Sequence, residues 1–366
     1  MLGRVDVTHS LVGRELSYGI RAGWVGVQLF FVLSGFLITG ILLDTQKTAN
    51  HYSGFFARRL LRILPLYYAV LVVAFLILPL CGVEPATIAH DRPHQFWLWA
   101  YLSNWTQPFS NGSRAFPHFW SLGVEEQFYL VWPFLLRRKS PRTVLRLCLA
   151  LVVAALGVRI VMLRLHAPWE AIYTFSISRM DALALGGAIA AAFRIPALAA
   201  KLHAVDARVW IALIAVGLGL FFATGSASYE HAFGATVGYS LVALICGIAI
   251  IGGTAADAAG ARGWFSPLRL RPLRVVGKYS YGMYVFHKPF HDFIGRPIQQ
   301  RLGWDFVHTT TAGALYIVTG MVAILGIAFV SYNLFERRFL KLKERFAARP
   351  LPTAEPAAMA TQGTSS

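Results

Sequence analysis

Two adjacent carboxylates, Glu125 and Glu126, lie within an otherwise apolar stretch of the chain. A carboxylate in such a setting is costly unless it pairs with a cation, shares a proton or bonds to a substrate. Trp120 and Tyr129 belong to the same stretch and are expected to contact a substrate held there. The pattern predicts either a reaction centre buried among helices or a structural ion pair, and the sequence leaves both open.

Three arginines, Arg58, Arg59 and Arg62, precede another apolar stretch. On a helix this spacing clusters guanidinium groups, which can grip phosphate through paired N–H donors. The alternative is a simple anchor, because the cytoplasmic ends of membrane helices are rich in basic residues. We expect either a phosphate-binding site or such an anchor.

His9 lies close to the beginning of the chain, just before a segment expected on the external side of a membrane. A neutral imidazole can act as a general base, since its ordinary pKa is ~6.5. A lone histidine at the end of a membrane helix also occurs without any chemical role. The residue type alone therefore leaves both interpretations open.

Arg179 and Asp181 open a further apolar stretch. Residues two apart on a helix point in different directions, so each needs a partner from elsewhere. Glu125 or Glu126 is the expected partner of Arg179. A structural and a substrate-binding role are equally open for this pair.

Ser34 and Gly35 form a small step inside the charge-free stretch 23–43. Small residues let helix backbones approach closely within a membrane. The step therefore predicts either tight helix packing or one wall of an intramembrane site. His287 and His291, four residues apart, have a spacing that also suits zinc, but no acidic residue lies between them, so we predict packing and no metal.

The composition decides the class of protein that must position these residues. Hydrophobic residues make up 56% of the 366 residues and charged residues only 14%, whereas a soluble protein carries about a quarter charged residues. The mean hydropathy is +0.55. The formal net charge of +17 is spread between apolar segments, so we do not predict a nucleic-acid partner. A polytopic membrane protein is the expected class.

The apolar segments predict an all-α transmembrane bundle with nine full spans. They cover residues 23–43, 64–81, 118–136, 144–165, 171–193, 209–224, 232–252, 273–291 and 310–335. Lys and Arg concentrate in alternate connections, which predicts a cytoplasmic C-terminus. Too few residues precede the external segment 10–22 to cross a bilayer, so we expect a truncated first span there. Residues 1–347 then form the membrane domain, and 348–366, rich in Pro, Ala and Thr, a disordered cytoplasmic tail.

Five segments together resemble the acyltransferase 3 family of integral membrane acyltransferases, which includes bacterial polysaccharide O-acetyltransferases. In chain order they read GVQLFFVLSGFLI, FFARRLLRILPLYY, WSLGVEEQFYLVWP, RMDALALGG and GKYSYGMYVFH. The resemblance implies an enzyme of the cytoplasmic (inner) membrane. It implies acyl-CoA, usually acetyl-CoA, as a donor substrate with no permanently bound cofactor, and a hydroxyl on a glycan or lipid-linked saccharide as acceptor.

The family's catalytic residue is a histidine near the outer part of its first span, and His9 matches it by spacing. The family also has an arginine a few turns earlier, a position that falls ahead of Met1 here. On this reading Arg58, Arg59 and Arg62 hold the CoA phosphates, and Glu125 or Glu126 orients His9 or the sugar. The expected substrate contacts are Ser34, Gly35, Trp120, Tyr129, Arg179 and Asp181.

Two other functions stay open. A polytopic transporter would use the same ionisable residues to line a pathway instead of a reaction centre. An inactive truncated member of the family would keep the bundle without the complete first span. Acceptor-dependent release of CoA would distinguish the enzyme from the transporter, and the codons upstream of Met1 would distinguish it from the truncated member.

Overall fold

The computed structural model describes residues 23–224, 232–258, 260, 266–302 and 310–347. Within these residues the regular elements are helices, with no β-strand among them. The all-α prediction is confirmed for this part of the chain. The predicted catalytic residue His9 and the predicted tail 348–366 lie outside the described residues.

Nine longer helices form the framework of the described chain. They are α1 (Gly23–Asp44), α2 (His51–Val72), α3 (Trp120–Leu135), α4 (Pro141–Arg164), α5 (Ser176–Ala192), α6 (Ala207–Ala223), α7 (Tyr239–Ala258), α8 (Arg271–Phe290) and α9 (Thr310–Ser331). Helix α2 continues through the π-helical turn Val73–Ile77 to Leu78–Leu80, and α9 continues through the π-helical turn Tyr332–Glu336 into Arg337–Leu342.

Shorter elements connect these helices. Short α-helices lie at Ala86–Asp91, Phe96–Trp99, Ser103–Thr106, Trp169–Thr174, Pro196–Ala204 and Arg296–Leu302. 3₁₀ turns lie at Arg92–His94, Pro117–Phe119, Ser266–Arg269 and Lys343–Phe346, and π-helical turns at Gly234–Gly238 and His291–Gly295.

Six helices of the described chain are long and apolar enough to cross a membrane. They are Trp24–Asp44, His51–Leu80, Pro141–Arg164, Trp169–Ala192, Gly234–Ala258 and Leu315–Phe346. A seventh crossing requires that Pro196–Ala204 and α6, which meet at 85°, count as one broken span. A membrane protein with several apolar helices is therefore confirmed, whereas the predicted number of nine is not.

The physical reason lies in three of the predicted spans. Helices α3 and α6 have 16 and 17 residues, fewer than the ~20 that a membrane helix needs. Helix α8 has 20 residues, but Arg271, Arg274 and Lys278 occupy its first half. Each of the three falls short by length or by charge.

The centre of the bundle is the contact of α1 with α5, and α5 also packs against α4 and α7. A side-chain carbon at Gly35 would overlap the carbonyl oxygen of Leu183, and one at Gly186 would overlap that of Val32. Close approach of the two backbones thus depends on glycine at both positions. The contact fixes the axial position of α1 relative to α5. It thereby also fixes the position of Ser34 along the bundle.

Candidate active site within the helical bundle

A buried carboxylate with two hydroxyl donors lies between α1 and α3. The Glu125 side chain is in the second turn of α3 and only 2% exposed. Ser34 Oγ, on α1, and Tyr129 Oη, one turn further along α3, both donate hydrogen bonds to its Oε1. Residues four apart share a helix face, which explains why Tyr129 reaches Glu125. The structure thus brings together three of the residues that the sequence singled out.

Arg59 approaches this cluster from α2. Its guanidinium carbon lies 4.9 Å from the centroid of the Tyr129 ring, a cation–π contact. Arg58 and Arg62 instead line a separate cavity. Residues 58 and 62 are four apart and share a helix face, whereas residue 59 is rotated by about 100°. The three arginines that we expected to act as one group are therefore divided between two sites.

The Glu126 side chain does not join the hydrogen-bonded cluster around Glu125. Neighbouring residues on a helix diverge by about 100°, so the two carboxylates point in different directions. Glu126 Oε1 is buried and has no hydrogen-bond partner within the described part of the chain. This oxygen can accept a hydrogen bond from a substrate or from another side chain.

The basic cavity has a volume of about 520 Å³, within the range of small-molecule sites. Its charged and aromatic lining comes from α2, α8 and the C-terminal continuation of α9: Arg58, Arg62, Lys278, Tyr281, Tyr332, Glu336, Lys343 and Glu344. Four basic side chains outnumber the two acidic ones. This excess of positive charge favours binding of an anionic ligand of nucleotide size.

Asp181 has a partner that the sequence reasoning missed. Arg159, on α4, forms a buried ion pair with Asp181 at 2.9 Å and donates to the carbonyl oxygen of Ser178 and to Ser240 Oγ. Ser240 in turn donates to Asp181 Oδ2. The signal in the sequence was Arg159 itself, a single arginine inside the apolar run 147–163 of α4. Asp181 Oδ1 remains buried with no hydrogen-bond partner in the described chain.

Arg179 is fully buried, and its three guanidinium nitrogens have no hydrogen-bond partner among the described residues. Four aromatic rings surround it, with centroids 4.3 to 5.9 Å from the guanidinium carbon: Tyr239, Tyr173, Phe31 and Trp120. We call this arrangement the Arg179 cage. The expected ion pair with Glu125 or Glu126 is not among those of the described residues. Cation–π contacts stabilise the buried charge but leave its N–H donors unused.

The step at Ser34 and Gly35 serves two purposes. Gly35 lies in the contact of α1 with α5, where Leu183 fills the space beside it. Ser34 faces α3 and bonds to Glu125. The geometry supports the packing interpretation for Gly35 and the site interpretation for Ser34, and the predicted contact of Gly35 with a substrate has no open space in this structure.

The two histidines of α8 and the π-helical turn that follows have different surroundings. The His287 ring lies beside His118, with centroids 4.5 Å apart, whereas His291 Nδ1 lies 2.7 Å from Tyr316 Oη. His118 was not singled out from the sequence. It lies two residues before α3, so the beginning of α3 and the end of α8 meet near this histidine pair.

Taken together, fold and site define a polytopic helical membrane protein. Its bundle encloses a buried carboxylate cluster and a caged arginine, and a basic cavity opens beside them. Comparison with known proteins narrows this class. The model of the acyltransferase 3 family, described as an acyltransferase domain, matches residues 6–333. The chain therefore belongs to that family, and the resemblance predicted from the five segments is confirmed.

Curated relatives share the same region. The chain is 29% identical over 300 residues to the O-acetyltransferase OatA of Staphylococcus aureus, covering 75% of this chain and 47% of the relative. It is 29% identical over 286 residues to the peptidoglycan O-acetyltransferase OatA of Listeria monocytogenes, covering 74% and 45%. The chain thus spans about half the length of these relatives. No solved structure gives a significant match.

Proposed function

We propose that this protein is a membrane O-acyltransferase. It moves an acyl group, acetyl in the simplest case, from acyl-CoA to a hydroxyl of a cell-surface glycan or a lipid-linked saccharide. Membership of an acyltransferase family supports the reaction class. The names of the relatives, one of them a peptidoglycan O-acetyltransferase, support a glycan acceptor. The observation that carries the proposal is the buried Glu125 with its two hydroxyl donors.

The donor would bind in the basic cavity. Guanidinium groups grip phosphate through paired N–H donors, and Arg58 and Arg62 both face this space. In the proposed topology the C-terminus lies in the cytoplasm, where acyl-CoA is available, because Lys and Arg concentrate in alternate connections of the chain. Arg59 follows the cavity-lining Arg58 in the chain and contacts Tyr129 of the Glu125 cluster, so it would meet the thioester end of the donor.

The chemical step is a direct transfer. His9 takes the proton of the acceptor hydroxyl while its oxygen attacks the thioester carbonyl carbon. The carbon–sulfur bond then breaks, and the CoA thiolate leaves and receives the proton from His9. Glu125 or Glu126 would orient His9 or the sugar, because a carboxylate bonded to an imidazole N–H fixes its tautomer and stabilises its charged form.

The acceptor would meet the residues around the Arg179 cage. The unused N–H donors of Arg179 suit hydroxyl or carboxylate oxygens, and Trp120 offers an aromatic face for a sugar ring. Asp181, held by Arg159, keeps one free acceptor oxygen for a sugar hydroxyl. Ser34 would contact the acyl group beside Glu125.

The experiment measures CoA release by membranes that contain the full chain, with and without a saccharide acceptor. The proposal expects acceptor-dependent release and an acetylated saccharide, both abolished by His9→Ala. A control, Glu84→Gln, removes an exposed carboxylate that pairs with Arg92 and leaves the reaction unchanged. Saccharide movement across the membrane without CoA release would instead identify a transporter.

A further inference from the structure

The basic residues that line the cavity come from the N-terminal and the C-terminal half of the chain. Arg58 and Arg62 belong to α2, whereas Lys278 lies on α8 and Lys343 on the turn Lys343–Phe346. The sequence pointed only to the arginines. The two lysines come from residues more than 200 positions away, so only the fold brings them to the same cavity.

None of these four cations forms an ion pair within the described chain, although Glu336 and Glu344 line the same cavity. Other basic residues are neutralised where an acid is near, as in the pairs Arg194–Asp44 at 2.5 Å and Arg159–Asp181 at 2.9 Å. Four unpaired cations around one space create a positive potential in it. An anion that enters the cavity would remove their mutual repulsion.

Lys278 is held in position by aromatic rings. Its Nζ lies 4.6 Å from the centroid of Tyr332 and 5.1 Å from that of Tyr279. Tyr332 is itself part of the cavity lining. The ammonium group is therefore kept at the wall of the cavity instead of extending freely from α8.

Lys343 is held in position by its own turn. The carbonyl oxygen of Ala347 accepts a hydrogen bond of 2.7 Å from Asn50 Nδ2, at the beginning of α2. The carbonyl oxygen of Phe346 lies against Gly54, where an added side-chain carbon would come within 3.1 Å. Because the turn packs on α2, Lys343 lines the cavity together with Arg58 and Arg62 of that helix.

We infer that Lys278 and Lys343 bind phosphate groups of the acyl-CoA donor and complete the site begun by Arg58 and Arg62; this inference rests on the proposed function. Coenzyme A carries a diphosphate and a separate ribose phosphate, and two arginines alone do not match three phosphate groups. Arginine grips phosphate in a bidentate manner, and lysine adds a compact charge that adapts to a second group. The donor site thus needs both ends of the chain.

The phosphate of an anionic lipid headgroup offers the same chemistry as the donor. Basic residues at the edge of a membrane also attract such headgroups. The two sources differ in a measurable way. A nucleotide site binds acyl-CoA in a bilayer without anionic lipid, whereas a headgroup site affects donor binding only when anionic lipid is present.

The experiment uses the full chain in nanodiscs of neutral phosphatidylcholine and measures the Kd of acetyl-CoA by calorimetry. Lys278→Met and Lys343→Met should each weaken binding about tenfold, the loss of one charge-assisted hydrogen bond. Lys341→Met is the matched control, because Lys341 is exposed and outside the cavity lining. Lys278→Arg and Lys343→Arg should restore most of the affinity. Thermal unfolding without ligand checks that every variant is folded.

Three results would overturn the inference. If the unaltered chain binds acetyl-CoA and both methionine variants bind equally well, the lysines are not donor ligands, although the proposed donor survives. If the unaltered chain does not bind acetyl-CoA, the donor assignment fails and the inference fails with it. If the variants lose affinity only in nanodiscs that contain phosphatidylglycerol, the lysines bind lipid headgroups.

Discussion

Glu125→Gln separates the chemistry of the buried cluster from its packing. Glutamine has almost the same shape as glutamate and keeps an oxygen that can accept from Ser34 and Tyr129. Hydrogen bonds to a charged group contribute about 1.5–3 kcal/mol each and neutral ones about 0.5–1.5, so two of them lose roughly 2–3 kcal/mol together. Removal of a buried charge returns several kcal/mol of desolvation. The free energy of unfolding should therefore change by no more than about 2 kcal/mol.

We expect a much larger effect of Glu125→Gln on the acyl-transfer rate than on the free energy of unfolding. If Glu125 orients His9 or the acceptor, its neutral replacement should lower kcat by about 100-fold or more. The assay follows acetyl transfer from labelled acetyl-CoA to a saccharide, together with thermal unfolding of the same preparation. Glu84→Gln, at an exposed ion pair, is the control and should leave both quantities unchanged.

Two results would refute this reasoning. A Glu125→Gln protein with full activity would show that the carboxylate has no part in the reaction. An unstable and inactive protein would show that Glu125 is a structural residue, since the loss of activity would then follow from unfolding.

Two further predictions concern the surroundings of the cluster. Arg179→Met should raise the KM for the saccharide at least tenfold while the KM for acetyl-CoA stays constant, because the Arg179 cage is expected to contact the acceptor only; steady-state kinetics with each substrate varied in turn decides this, and an equal rise for both would contradict it. Gly35→Ala should lower the free energy of unfolding by about 1–3 kcal/mol, because the added carbon would overlap the carbonyl oxygen of Leu183. Gly157→Ala, which meets open space on α4, is its control in the same unfolding measurement, and equal effects of both changes would contradict the prediction.

The sequence predicted the class of fold because apolar length and charge are local properties of each helix. It predicted too many spans because apolar content was weighed more heavily than length in α3 and α6, with 16 and 17 residues. The predicted span 273–291 contains Arg274 and Lys278, and the charge of these residues was not weighed against its apolar content.

The pairing of side chains could not be predicted because it depends on contacts between helices. Arg179 and Glu125 have opposite charges, but Ser34 and Tyr129 hold Glu125, and rings surround Arg179. Arg159 reaches Asp181 only because α4 packs on α5.

The separation of Arg59 from its neighbours was within reach of the sequence. Positions 58 and 62 share a helix face, and position 59 is rotated by about 100° from position 58. The lysines of the basic cavity carried no comparable signal. They lie near Arg58 and Arg62 in space but far from them along the chain.

The sidedness of the reaction in proteoliposomes tests the proposed acyl transfer most directly. The full chain is reconstituted in one orientation, labelled acetyl-CoA is supplied on one face only, and label on saccharide hydroxyls is measured. Donor binding in the basic cavity predicts transfer when acetyl-CoA is on the face that carries the C-terminus, and none when it is on the other face. Transfer from the opposite face, or no transfer from either, would contradict it.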